Sequence, residues 1–227
     1  MYKKRITVLL AEDHTIVREG FRKMLELEKD IQVIGEAQDG RQAVAMVKKL
    51  RPAVVVMDIA MPLLNGLEAT RQIIKAVPGT RILILTAHND NAYVKNAMES
   101  GAVGFLLKQA SARVLSKGIR EVNKGNVFFG PFITKLLPER ERKSLDRAGR
   151  PKPRKGRLTS REMEVFQLIA EGKANKQIAA ELGIGMKTVE THREHIMEKL
   201  KLHGIAGLTR HAISAGIIES SVQLTIV

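Results

Sequence analysis

Apolar positions in the first half of the chain alternate between two rhythms. Continuous runs at residues 5–11 (RITVLLA), 31–37, 54–58 (VVVMD), 81–86 (RILILT) and 103–107 have the length and composition of strands buried on both faces, as in a parallel sheet. Between the runs, apolar residues recur at helical spacing. They are Ile16, Val17, Phe21, Met24 and Leu25, then Ala43, Val44, Met46, Val47 and Leu50, then Leu67, Ile73 and Ile74, and finally Leu115, Ile119 and Val122; residues 89–100 carry the same pattern. The punctuation agrees. Asp39-Gly40 opens a helix that stops before Pro52, Asn65-Gly66 marks a turn, Gly101 suits a left-handed C-cap, and Ser111 suits an N-cap. Five strand–helix repeats predict an α/β doubly wound, five-stranded parallel sheet with right-handed crossovers and helices on both faces.

In such a sheet the carboxyl ends of the strands share one rim, where open α/β folds bind ligands. Glu12 and Asp13 follow the first run, Asp58 closes the third, Thr86 closes the fourth and Lys108 follows the fifth. Three neighbouring carboxylates repel one another unless a cation lies between them, and a hard divalent cation with oxygen ligands, Mg²⁺ above all, suits the set. An ammonium and a hydroxyl can hold phosphoryl oxygens, and a carboxylate can act as nucleophile to form an aspartyl phosphate. A lone acid after a strand is ordinarily a helix cap or a solvated loop residue, and a lone lysine an ordinary surface residue. The joint placement of all five residues at strand ends is what points to chemistry. No Gly-rich GxxxxGK loop is present, so nucleotide binding is not indicated.

The chain has 227 residues, no cysteine and 38 basic against 24 acidic side chains, for a formal charge of +14. The length favours two domains, the missing thiols fit a reducing compartment, and the charge favours a polyanionic partner. No apolar run approaches the roughly 18 residues of a membrane helix, so a cytoplasmic protein with no membrane association is expected. The charge is uneven: residues 131–157 carry 10 basic and 3 acidic side chains, whereas residues 158–227 carry 8 of each. The stretch 138–157, PERERKSLDRAGRPKPRKGR, has too little apolar content to form a core and is expected to be an extended linker. The expected division is therefore a first domain at 1–126, a basic linker containing Pro and Gly at 127–157, and a second domain at 158–227.

Order resumes at Thr159, which forms a capping box with Glu162 and opens a helix through Phe166 and Ile169. Asn175 is expected to cap a short helix at 176–182. Gly183 makes a turn, residues 188–200 form a longer helix with Val189, Ile196 and Leu200 inward, and a last helix covers about 204–215. Two helices joined by a tight glycine turn within a small all-α four-helix domain suggest helix-turn-helix geometry, whose second helix enters the DNA major groove. His192 and His195 have no third ligand nearby and are expected to serve packing or phosphate contact rather than metal binding.

Residues 5 to about 123 resemble the receiver domain of two-component response regulators, a flavodoxin-like fold. The segment DIAMPLLNG matches the family's D-x-x-M-P-x-x-N-G pattern. The resemblance implies that Asp58 is the phosphoacceptor, that Glu12, Asp13, Asp58 and the backbone carbonyl of Ala60 bind Mg²⁺, and that Thr86 and Lys108 contact the phosphoryl group. It also makes Phe105 the aromatic that turns inward on activation. Gln109 stands where the family often has proline. Residues 158–217, containing LTSREMEVFQLIAEGKANKQIAAELGIGMKTVETHREHIMEKL, resemble the LuxR-type helix-turn-helix of NarL/FixJ-type regulators. That likeness places Lys187, Thr188, Glu190, Thr191 and Glu194 on the DNA face, the first two at phosphates and the others near base edges. Gly185 replaces a frequent serine cap, and Glu190 and Glu194 stand where relatives often have lysine.

Together the two resemblances imply a phosphorylation-activated transcriptional regulator that accepts its phosphoryl group from a sensor histidine kinase and binds double-stranded promoter DNA. They further imply a homodimer when phosphorylated, and RNA polymerase as a further partner. Two alternatives stay open from the residues alone: a DNA-binding regulator that ignores phosphorylation, and an aspartyl-nucleophile phosphatase. The second lacks support at Ala60, where such an enzyme needs an acid to protonate the leaving group.

Overall fold

The structure, a computed structural model, describes residues 5–87, 97, 99–136 and 158–218. It divides into two units, Met1–Pro151 and Lys152–Val227. The first unit is built on β1 (Ile6–Ala11), α1 (Thr15–Glu26), β2 (Ile31–Ala37), α2 (Gly40–Leu50), β3 (Val54–Asp58), α3 (Gly66–Ala76), β4 (Arg81–Thr86), β5 (Gly104–Leu107), α4 (Ala112–Asn123), β6 (Phe128–Phe129) and α5 (Pro131–Leu136). The strands form one sheet in the order β2-β1-β3-β4-β5-β6, and every pairing is parallel.

All five residues of β3 are buried, as a central strand covered on both faces demands. Side chains alternate across the sheet, so Val55 and Met57 enter one core layer and Val54 and Val56 the other. The first layer packs under α2 and α3 with Leu9, Val47, Ile73 and Phe105. The second packs under α1 and α4 with Leu10, Phe21, Leu25, Ile119 and Val122.

The sheet has six strands rather than the five expected. Phe128 and Phe129 pair with Gly104 and Phe105, and the ring of Phe129 stacks on that of Phe105 at 5.6 Å. Two residues are too short for a period to show, and this strand exists through its partner. Together with α5, which opens on Pro131 where a missing N–H is harmless, it occupies part of the stretch expected to be linker from residue 127. The helix expected at 89–100 and the linker at 138–157 lie largely or wholly outside the described residues.

The second unit contains α6 (Ser160–Ala170), α7 (Asn175–Leu182), α8 (Met186–Leu200) and α9 (Ile205–Ser214) around Val165, Phe166, Ile169, Ile178, Val189, Ile196 and Leu208. Thr159 and Glu162 form the expected capping box. Gly183 ends α7 at φ 62, and Gly185 caps α8 without a side-chain bond. The α8 helix begins two residues before the expected Thr188, because the chain becomes helical directly after the extended Gly185 cap. The expected Asn175 cap is not found. Ala174 holds that position, and the Asn175 side-chain Oδ1 instead accepts a hydrogen bond from Arg193 at 2.8 Å. No helix among the described residues is long and apolar enough to cross a membrane.

Candidate functional site

The loops after β1, β3, β4 and β5 open on one rim because all four strands are parallel. Glu12 and Asp58 are each 2% exposed and Thr86 3%. Lys108 Nζ lies 2.9 Å from Asp58 Oδ2 and 2.9 Å from Glu12 Oε2, and so ties two strand ends together across β4. The Lys108 N–H donates to the Thr86 carbonyl at 2.9 Å, and the Ile59 N–H donates to Asp58 Oδ1 at 2.8 Å. Asp13 is less buried, and its carboxylate pairs with His14 Nδ1 at 2.8 Å. The structure therefore brings Glu12, Asp58 and Lys108 into direct contact, with Asp13 and Thr86 on the same rim. Ala60 sits in the loop two residues past Asp58. Phe105 lies inside the sheet's core layer, 2% exposed, on the strand that leads to Lys108.

The loop from Asp58 to α3 is shaped by glycine. A Cβ on Gly66 would stand 1.8 Å from the Asp58 carbonyl oxygen, so only glycine allows the Gly66 N–H to reach the Ile59 carbonyl at 2.8 Å. Leu63 in the same loop has φ 65, a left-handed conformation rarely adopted by a branched side chain.

Burial, and then the charge of Glu12, push the Asp58 carboxyl well above the usual carboxylate range, with Lys108 opposing both. Burial works against the Lys108 ammonium, but Asp58 and Glu12 outweigh it and hold its pKa above the ordinary value. Asp13 raises His14. Glu12 Oε2, Asp13 Oδ1 and Asp58 Oδ2 are buried without a hydrogen bond. Lys108 Nζ lies 2.9 Å from the Glu12 and Asp58 oxygens and His14 Nδ1 2.8 Å from the Asp13 oxygen, each close but off hydrogen-bonding geometry. Carboxylate oxygens left this way in a pocket are suited to a hard cation. Ligand atoms of Glu12, Asp13 and His14 lie within 4.8 Å of one another.

Arg18 escaped the sequence reading. It is 5% exposed, and its guanidinium donates to the Glu12 carbonyl at 2.8 Å and to Glu36 Oε2 at 3.1 Å. The available clue was its position: Arg18, Phe21 and Leu25 form the buried stripe of α1, and an arginine on such a stripe needs a buried acceptor.

In the second unit Lys187, Thr188, Glu190, Thr191 and Glu194 are all exposed on α8, while Val189 and Ile196 face inward. Two polar ties hold this helix to its neighbours. Lys199 Nζ donates to both Glu162 oxygens at 2.7 Å, and Arg193 donates to Asn175. His195 Nδ1 stands 3.9 Å from Glu162 Oε1.

Comparison with known proteins agrees with both halves. The response regulator receiver domain model matches residues 8–120, and the model for bacterial regulatory proteins of the luxR family matches residues 156–212. The chain is 33% identical to the transcriptional regulatory protein DegU of Brevibacillus brevis, covering 96% of this chain and 97% of that one. It is 36% identical to the oxygen regulatory protein NreC of Staphylococcus carnosus (strain TM300), over 93% and 99% of the two chains. Among solved structures, the two-component response regulator RcsB in complex with DNA aligns with a TM-score of 0.56 and 27% identity, over 93% and 99%. A parallel sheet with an acidic rim, joined in one chain to a helix-turn-helix unit, thus places this protein in the NarL/FixJ-type response regulators, a family of transcriptional regulators with a receiver domain and a LuxR-type DNA-binding domain.

Proposed function

We propose that Asp58 accepts a phosphoryl group from a sensor histidine kinase and that this event controls binding of promoter DNA by α8. A carboxylate oxygen of Asp58 attacks phosphorus in line, and the P–N bond to the kinase histidine breaks. The imidazole leaves with the bonding pair and is protonated. Lys108, already 2.9 Å from Asp58, neutralises charge on the phosphoryl oxygens, and Thr86 supplies a hydroxyl on the adjacent strand end. Glu12, Asp13, Asp58 and the Ala60 carbonyl would hold Mg²⁺, which when bound screens the carboxylates from the incoming phosphoryl group. Phe105, the aromatic expected to turn inward on activation, already lies inward here, 2% exposed and stacked on Phe129.

In the second unit Lys187 and Thr188 contact phosphates, and Glu190, Thr191 and Glu194 face base edges. The phosphorylated chain pairs through α9 to read two half-sites and can then engage RNA polymerase. The protein acts in the cytoplasm, with its receiver extended by β6 and α5 and the basic stretch 138–157 as linker. Its own chemistry is limited to Mg²⁺-dependent self-phosphorylation and slow self-dephosphorylation. Ala60 offers no acid to a leaving group, which disfavours a phosphatase.

The observation that carries the proposal is a buried Asp58 with an unbonded oxygen facing Lys108 at the carboxyl end of a central strand. Wild type and Asp58→Ala, each incubated with Mg²⁺ and acetyl phosphate, are compared for acyl phosphate, dimer fraction and operator binding. The wild type is expected to gain all three and the variant none. Equal behaviour would refute the switch, and DNA binding by both would favour the phosphorylation-independent alternative.

A further inference from the structure

Arg18 lies on the buried stripe of α1, where an apolar side chain would be the ordinary choice, since desolvating a guanidinium is expensive. Its hydrogen bonds show what it does there. One edge donates to the carbonyl of Glu12 at 2.8 Å and, more weakly, to that of Asp13 at 3.4 Å, while another N–H reaches the Thr15 hydroxyl at 3.4 Å. Its Nε donates to Glu36 on β2, and the other oxygen of Glu36 is held by Arg22, itself paired with Glu26. The Glu12 N–H is bound to the Ala37 carbonyl at 3.0 Å. The peptides of the two acids are thus clamped from the β2 side and from the α1 side, and only their carboxylates are left to face the rim. A planar fork is what lets one side chain serve the loop and Glu36 together.

We propose that Arg18, anchored on Glu36, is the positioning residue of the acidic pair: it fixes the Glu12–Asp13 backbone so that both carboxylates are presented to a divalent cation. This rests on the metal-binding role given above for those carboxylates. Groups that orient ligands from behind typically change metal affinity by about 10- to 100-fold when removed. A purely electrostatic role has a different outcome. Deleting the Arg18 charge would then tighten cation binding, and deleting the Glu36 charge would weaken it. Positioning requires that both deletions weaken it.

The test is calorimetric titration of the full chain with MgCl₂, for wild type, Arg18→Ala, Arg18→Lys and Glu36→Gln, beside acetyl phosphate phosphorylation at rising Mg²⁺. Arg18→Ala is expected to raise the Mg²⁺ dissociation constant about tenfold. Its phosphorylation rate at saturating Mg²⁺ should stay within about threefold of wild type, since the clamp acts on the site and not on the reacting atoms. Arg18→Lys, which reaches a carbonyl without the fork, and Glu36→Gln, which keeps an acceptor without the charge, should fall between. Unchanged or tighter Mg²⁺ binding in folded Arg18→Ala overturns the proposal. If that variant does not fold, wild-type affinity in both Arg18→Lys and Glu36→Gln overturns it. A wild type that binds no Mg²⁺ refutes instead the metal role assigned to Glu12 and Asp13, and this inference falls with it.

Discussion

Glu162→Gln is predicted to loosen the recognition helix without disturbing the first unit. The Glu162 side chain is 5% exposed in the first turn of α6. It accepts the Thr159 N–H at 2.8 Å and the Thr159 hydroxyl at 3.0 Å, and both its oxygens receive Lys199 of α8 at 2.7 Å. Glutamine keeps the shape and one acceptor oxygen but turns an amide N–H toward an ammonium. A hydrogen bond to a charged group contributes about 1.5–3 kcal/mol, and the 34% exposure of Lys199 calls for the lower end, about 1.5 kcal/mol. The pH dependence has a definite sign. Burial pushes the Glu162 carboxyl up, but Lys199 and Thr159 outweigh it and leave its pKa below the ordinary value. The contribution is therefore complete above the unfolded value of about 4.3 and is lost as pH falls through the folded one. Hydrogen exchange of the full chain should show α6 and α8 opening about 10-fold more often in the variant at pH 7, the equivalent of about 1.4 kcal/mol. The gap should shrink as pH falls below the unfolded value of about 4.3. A gap that persisted unchanged at pH 3, or exchange in α8 equal to wild type at pH 7, would refute the assigned role of the ion pair.

Three further outcomes follow from the geometry. Gly66→Ala places a Cβ 1.8 Å from the Asp58 carbonyl oxygen and should destabilise the first unit by about 3 kcal/mol or more, read as a lower denaturant midpoint. Mg²⁺ at about 100 times its dissociation constant should stabilise the first unit by about 2.7 kcal/mol, reversibly on chelation, and Asp13→Asn should lose most of this gain; an equal melting shift in the variant would remove Asp13 from the site. Glu190→Ala and Glu194→Ala should each bind random-sequence DNA more tightly and lose about 1–3 kcal/mol of discrimination at one position of the selected site, measured by selection from a random library. Unaltered preferences would take these two residues out of base reading.

The rim was legible because it depends on strand ends, and a buried parallel strand announces itself as a continuous apolar run. Asp58 could be placed once VVVMD was recognised, and Thr86 and Lys108 followed from RILILT and VGFLL. Glycine turns were equally open, since Gly183 and Gly101 both adopt positive φ. What stayed hidden depends on contacts between distant residues. β6 is two phenylalanines with no period of their own, fixed by β5 and by the stack on Phe105. Asn175 has the chemistry of a cap but is held by Arg193, 18 residues away. Arg18 has the composition of a surface helix residue, and only the fold shows the two carbonyls and the Glu36 carboxylate that account for its burial.

The short strand β5 joins the chemistry of the rim to the edge of the sheet. Lys108, which bridges Asp58 and Glu12, follows its last residue directly, and the Lys108 N–H is fixed to Thr86. Phe105, three residues earlier, stacks on Phe129, and its carbonyl accepts the Gly130 N–H at 2.8 Å. A displacement of Lys108 or Phe105 would therefore be felt at residues 128–130, because cores are close-packed. Those residues lead straight into α5, at the end of the described part of the first unit. Without β6 the Phe105 ring would lose its stacking partner, and the rim would be joined to the outgoing chain only through α4.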